Sequence, residues 1–209
     1  MKTFIINSVL LALFFCVCAN AQTMKVSEDQ ESLRQMLAHQ PDHIATQTSY
    51  YTDSTEGTGR KHRIARLGNR LAEVTEEAIV IKERDKPTLK IFPKRREYSE
   101  VLFQDNDDFA DSPDTYASRD SLVFKSLGRE KIANYNCIKI EASYHSEYLA
   151  DVQFLFWVAP ELKGLVVKSE MSYGTPYKHV VLLEDISLNV DESIFRIPAG
   201  FKKVVEPEL

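Results

Sequence analysis

Five histidines, three cysteines and a scatter of acids are the residues on which catalysis or metal binding would have to rest. His39 and His43 are the closest histidine pair, but Pro41 stands between them. A helical zinc pair needs both rings on one regular face, which proline prevents, so both read as solvent histidines. No His-Glu-x-x-His run occurs. Asp105, Asp107, Asp108 and Asp111 have the alternation of a calcium loop, yet counting from Asp105 puts Ala110 where glycine is needed and Tyr116 where a bidentate glutamate is needed. A solvated acidic loop is the reading that remains. There is no Gly-x-Ser-x-Gly elbow, no Walker loop and no dinucleotide fingerprint, so a triad would have to be assembled from distant residues. Arg60-Lys61-His62-Arg63 with Arg66, and Lys94-Arg95-Arg96, are two basic clusters in a chain of net charge −5. They read as strand and loop surface, or as a contact for anionic lipid head groups or an acidic partner. Alternation along a strand sends only half of such side chains to any one side.

The elements that would position these residues follow a leader. Met1-Lys2-Thr3, an apolar run from Phe4 to Cys18 and Ala19-Asn20-Ala21 form the n-region, h-region and small-x-small site of a secretory signal peptide, residues 1–21. Phe14-Phe15 precede Cys16, and Cys16-Val17 precede Cys18, where a lipobox needs small residues, which argues against an acyl anchor. Residues 22–209 then make one exported domain, periplasmic or secreted, whose acidic balance argues against nucleic acid as partner. Cys137 is left alone, so packing rather than a disulfide must hold the fold; a lone cysteine on a strand reads as a buried small apolar residue.

Ser27 to Gln40 reads as an amphipathic helix with Leu33, Met36 and Leu37 on one stripe and Pro41 ending it. Strands are expected over 44–55, 58–67, 70–75, 78–83 and 88–92, joined by tight turns with no helix between them, which is an antiparallel meander. The meander breaks between Pro93 and Asp120. Tyr98, Val101 and Leu102 lie at helical spacing there, so a short helix followed by a mobile acidic loop is expected. Strands resume over 122–132 and 137–144.

Residues 151–171 are the densest apolar stretch. Val152, Phe154, Phe156 and Val158 fall on one face at period two, with Gln153, Leu155 and Trp157 on the other, as in a central strand. Pro160 and Gly164 bracket a turn, after which Leu165, Val167 and Met171 share a face. A last strand over 178–188 places Val180, Leu182, Ile186 and Leu188 together, and Asp191-Glu192-Ser193 opens one helical turn before Phe195.

Gly128-Arg129-Glu130-Lys131-Ile132-Ala133-Asn134-Tyr135-Asn136-Cys137-Ile138-Lys139, Trp157-Val158-Ala159-Pro160-Glu161-Leu162 and Phe195-Arg196-Ile197-Pro198-Ala199-Gly200-Phe201 resemble the LolA/LolB-like superfamily of envelope proteins, related to outer-membrane lipoprotein-sorting carriers. The resemblance is clearest from Leu122 to Lys203. Where relatives often carry glycine this chain has Asn134, which also tolerates a left-handed turn. The arginine and lid residues of the true carriers have no residue-by-residue match here.

The resemblance implies a mainly β (α+β) fold: an unclosed antiparallel β-barrel, or half-barrel, with an N-terminal helix and a short lid helix or loop, around an apolar cavity that holds acyl chains. The expected function is non-enzymatic binding of a hydrophobic small molecule or acyl chain by a monomer, with envelope lipoproteins as protein partners and neither cofactor nor metal. The alternative is an envelope structural or interaction protein of the same fold with a self-filled core; a hydrolase stands third. The residues expected to line the cavity are Phe154, Phe156, Ile138, Ile140, Val167, Leu182 and Ile186, with Tyr98 and Leu102 from a lid over 98–109. The leader reading predicts that exported material begins at Gln22. An intact mass retaining Met1–Ala21, or a diacylglycerol adduct on Cys16 or Cys18, would contradict it.

Overall fold

The computed structural model describes residues 29–52, 59–101, 112–144, 152–173 and 177–205. The leader, the Ser27 cap, Leu102 and the acidic run Asp105–Asp111 lie outside them. Helix α1 covers 29–38, ending before Pro41 as its sequence requires. The strands are β1 (His43–Tyr51), β2 (Arg60–Leu67), β3 (Arg70–Val74), β4 (Ile79–Glu83), β5 (Thr88–Phe92), β6 (Glu97–Val101), β7 (Val123–Ile132), β8 (Tyr135–Tyr144), β9 (Val152–Ala159), β10 (Leu165–Tyr173), β11 (Lys178–Ser187) and β12 (Lys202–Lys203). Helix α2, Pro113–Ala117, lies between β6 and β7. Among the described residues no helix is long and apolar enough to cross a membrane.

All twelve strands form one open sheet in the order β12-β6-β5-β4-β3-β2-β1-β11-β10-β9-β8-β7. Every pairing is antiparallel except the short β12–β6 pair. The expected unclosed half-barrel with helices is therefore present. β1 is the seam: β2 to β6 extend to one side, while β11 back to β7 extend to the other.

Strand β9 is buried on both faces. On the inner face, which carries the helices, Phe154, Phe156 and Val158 join Ile140, Ala142 and Phe124 beneath Leu33 and Leu37 of α1 and Tyr116 of α2. Tyr116 stands 4.3 Å from Phe154 and 5.8 Å from Phe156, ring centre to ring centre, and its hydroxyl donates to Met171 Sδ at 3.1 Å. On the other side of β9 Trp157 belongs to a cluster with Cys137, Ala159, Leu165 and Val167 that runs on to Ala45, Ile64 and Leu183. Trp157 is only 2% exposed, and its indole N–H donates to Glu130 Oε2 at 3.0 Å. The Lys168 and Lys139 ammonium groups lie 4.3 and 4.8 Å from its ring centre. The lysine stems thus cover an aromatic that alternation alone would leave wet. Cys137 is fully buried, as expected, and burial pushes its thiol pKa up. The other limb is closed from outside by the C-terminal segment: Phe195 packs with Ile44, Ala65, Ala72, Ile81 and Ile91, at the end of a short helical turn capped by the Asp191 carboxylate accepting from the Ser193 N–H.

Four local expectations are corrected. Residues 97–101 form β6, not a short helix, because they pair with β5 from Thr88↔Val101 to Phe92↔Glu97 and complete its ladder; Tyr98 packs on the Phe195 cluster, outside any lid. The second helix comes later, at Pro113–Ala117, inside the stretch read as an acidic loop. In the β7–β8 turn the left-handed residue is Ala133, with φ of 51°, and not Asn134. In β10 a bulge between Val166 and Lys168 breaks the period of two. Val166 and Met171 therefore join the Phe156 core, while Leu165 and Val167 join the Trp157 cluster.

Phe156 is 1% exposed and central to the inner core. Phe156→Ala is expected to cost about 3 to 5 kcal/mol, as aromatic truncations in cores do, measured by urea unfolding. A loss well below 1 kcal/mol would mean that β9 is not a core strand.

Candidate functional site

Beside the α1-covered core the described residues leave part of the inner face uncovered. A cleft of about 490 Å³ runs there, bordered by Gln40 after α1, Ser112 and Pro113 at the start of α2, and strands β1, β2, β3, β10 and β11. Register shows how its walls arise. Gln47 of β1 pairs with His62 on one side and Leu183 on the other, and Ser49 pairs with Arg60 and Val181. Residues at one register level point to one face. So β2 lines the cleft with Arg60, His62, Ile64 and Arg66, and turns Lys61 and Arg63 away. Across β1, β11 and the β10 bulge supply Val181, Leu183, Val166 and Val167. The cleft is amphipathic across its width: a basic wall faces an aliphatic one over a floor that includes Ile64. From His43 to Ser49 it extends about 20 Å along β1, taking the usual rise per strand residue.

Two arginines hold the helices in place along this cleft. Arg66 donates to both carboxylate oxygens of Asp114, at 2.8 and 3.4 Å, tying β2 to the first turn of α2. Arg34 of α1 donates to the carbonyls of Ala117 and Arg119, at 2.8 and 3.2 Å, capping the C-terminal end of α2. Gln40 closes the end of α1 by donating to the Met36 and Leu37 carbonyls, while its Oε1 accepts from the Val166 N–H at the bulge, 3.0 Å away.

His39 is exposed, in keeping with its reading as a solvent group, whereas His43 is not. His43 is 5% exposed, with Nδ1–H donating to the Pro41 carbonyl at 2.9 Å. Burial lowers its pKa, as does Arg66, against the raising effect of that hydrogen bond. His62 also has a lowered pKa, chiefly from desolvation, with Glu73 opposing and Arg60 and Lys82 reinforcing the shift. Its Nδ1 is buried without a hydrogen-bond partner. Among the described residues no group of three His, Cys, Asp or Glu side chains could hold a metal ion.

The expected cavity residues are not all brought together, and those that are do not line the cleft. Phe154, Phe156 and Ile140 are sealed under Tyr116 and Leu37, with Ile138 packed against them. Val167 lines the cleft. Leu182 sits between Val181 and Leu183, which line it, and so turns to the outer face opposite Thr48. Ile186 packs against the Trp157 cluster and Tyr98 against the Phe195 cluster, while Leu102 is outside the described residues. Sequence reasoning missed Gln47, Ile64, Val181 and Leu183, and it read His62 and Arg66 as members of a basic cluster without placing them in the cleft. The alternation in 60–66 carried a signal for the β2 members, but nothing local said which side faced inward. A second depression, of about 740 Å³ around Arg60, Glu73, Glu76, Glu77 and Val80, is more open and lacks the aliphatic wall.

No protein-family model and no curated protein matches the chain. Solved structures do. MucB is similar with a TM-score of 0.52 at 15% identity, over 83% of this chain and 63% of MucB. The chain shares the open half-barrel fold of MucB. It spans less than two thirds of that protein's length, and at this identity the likeness is one of fold. Mycobacterium tuberculosis lipoprotein LppX matches with a TM-score of 0.40 at 12% identity, over 79% of this chain and 96% of LppX. A putative outer membrane lipoprotein-sorting protein domain from Vibrio parahaemolyticus matches at 0.36 and 10%, over 82% and 94%.

The Arg66–Asp114 pair generates a pH prediction. Burial raises the Asp114 pKa, but hydrogen bonds from Arg66 and Ser112 outweigh it and leave the carboxyl below its usual range. A depressed folded-state pKa contributes stability that is fully present above the unfolded value of about 4 and is lost as pH falls through the folded one. Asp114→Asn is expected to cost about 1 to 3 kcal/mol at pH 7, between an exposed and a buried pair, and to weaken the stability loss below pH 4. Urea midpoints at pH 7 and pH 3 measure both effects.

Proposed function

We propose that the protein is an exported, non-enzymatic binding protein of the cell envelope that takes a hydrophobic ligand, a lipid or an acyl chain, into the cleft between β1–β3 and β10–β11. The observation that carries this reading is the aliphatic wall of Val167, Val181 and Leu183 in a groove that the two helices leave uncovered. Ligand sites are concave, mostly apolar and provided with a few polar groups that fix orientation, and a volume of about 490 Å³ lies within their usual span. The half-barrel supports the reading because strands β1–β3 on one side and β10–β11 on the other form the walls of the groove. Envelope lipoproteins are the protein partners this function implies, and the chain acts as a monomer.

The sealed region beneath Tyr116 favours a second reading, a structural or interaction module whose core is filled by its own side chains. Native mass spectrometry after mild purification separates the two: retained lipid supports the binding protein, and none supports the module. Val181 is half-buried on the cleft wall, so Val181→Glu puts a carboxylate where a chain would lie. It is expected to weaken binding of a fluorescent fatty acid at least about tenfold, the order set by burying an unpaired charge, with a melting temperature close to the parent's. Unchanged binding would remove the cleft as the site.

A further inference from the structure

The basic run Arg60–Arg66 finds its use in the cleft. Lys61 turns outward and pairs with Glu184 at 3.1 Å, while Arg60, His62 and Arg66 line the cleft. The charge of Arg66 is answered by Asp114 in a two-point pair. That of Arg60 is not matched in this way. Its nearest carboxylate, Glu73, is 3.8 Å away and is shared with Lys82 at 3.4 Å. Next to it on the same face, His62 Nδ1 is buried and makes no hydrogen bond. Buried polar atoms in folded proteins are hydrogen-bonded, and an orphan in a groove wall marks a place where something else binds.

Building on the acyl-chain reading above, we propose that Arg60 and His62 hold the anionic head group of an amphiphile, a carboxylate or a phosphate, whose chain lies along Val181, Leu183 and Val167. Residues two apart on a strand are separated by about 6.6 to 6.8 Å, a gap that one anion spans with an oxygen toward each side chain. The guanidinium supplies a paired N–H fork suited to planar or tetrahedral oxyanions. The imidazole supplies an N–H in the tautomer the anion selects. Among the described residues Glu73 is the only carboxylate lining the cleft, so a neutral chain satisfies only the aliphatic wall, whereas an anionic amphiphile satisfies both.

The test uses four probes of matched chemistry: dodecanoate, dodecyl phosphate, dodecanol and inorganic phosphate, each titrated into the parent, Arg60→Gln and His62→Gln proteins. Both anionic amphiphiles are expected to bind about tenfold or more tightly than dodecanol, as a charge-assisted hydrogen bond would give. Either variant is expected to erase that preference while leaving dodecanol affinity unchanged. The His62 ring resonances of the parent are expected to move with dodecanoate and not with dodecanol. Arg60 is largely exposed, with 72% of its side-chain surface in solvent, so Arg60→Gln keeps the fold even if His62→Gln does not. Equal affinity for dodecanoate and dodecanol overturns the head-group site and leaves the acyl-chain reading standing. Binding of none of the chains overturns both. Inorganic phosphate binding as tightly as dodecyl phosphate would make this a site for the free anion and overturn the amphiphile.

Discussion

The two strands that flank the α2 segment, β6 and β7, are consecutive in sequence but lie ten strand spacings apart across the sheet. At the usual spacing that is about 48 Å along the sheet, and the described part of the crossing between them lies against the inner face. Everything on the inner face depends on this crossing. Its described part, α2, inserts Tyr116 between the sheet and α1 and is pinned at one end by Arg66 and at the other by Arg34. Neither arginine could be replaced by lysine without loss, because each uses the guanidinium fork on two acceptors at once. The cost of ordering this connection is offset by the burial of Tyr116 on Phe154 and Phe156.

The crossing also divides the inner face. Over β7, β8 and β9 the two helices supply enough apolar surface to exclude water, and the region behaves as a core. Over β1, β2, β10 and β11 they stop short, and the cleft is what remains uncovered. Its amphipathic character follows from opposite inward-facing chemistry on the two strands that flank β1: β2 turns Arg60, His62 and Arg66 in, and β11 Val181 and Leu183. The β10 bulge sharpens this, since one extra residue places Val167 and Lys168 against a single partner position, Trp157, and frees Val167 to extend the aliphatic wall.

An open sheet carries edges that invite pairing with other chains. One is shielded by β12, whose two lysines pair in parallel with β6 and whose Lys203 binds Glu100. The other, β7, is studded with Lys125, Arg129 and Lys131 and broken by a bulge at Gly128, where φ is +95°. Charge and irregular pairing together disfavour edge-to-edge association.

The meander, the burial of β9 on both faces, the helix ended by Pro41 and the turn before Phe195 were all determined by the sequence. Each depends on a periodicity or a cap contained within about ten residues. Strand β6 was not legible, because five residues with Tyr98 and Val101 at helical spacing become a strand only when β5 offers its unpaired edge. Nor was α2, where acidic composition hid the one aromatic, Tyr116, that the core requires. The cleft lay further still from local reading. Alternation in β2 grouped Arg60, His62, Ile64 and Arg66, but inward and outward are properties of the sheet as a whole. Only the tertiary structure decided that this row would face Val181 and Leu183, residues more than a hundred positions away, because only the β1–β11 register brings those side chains into one groove.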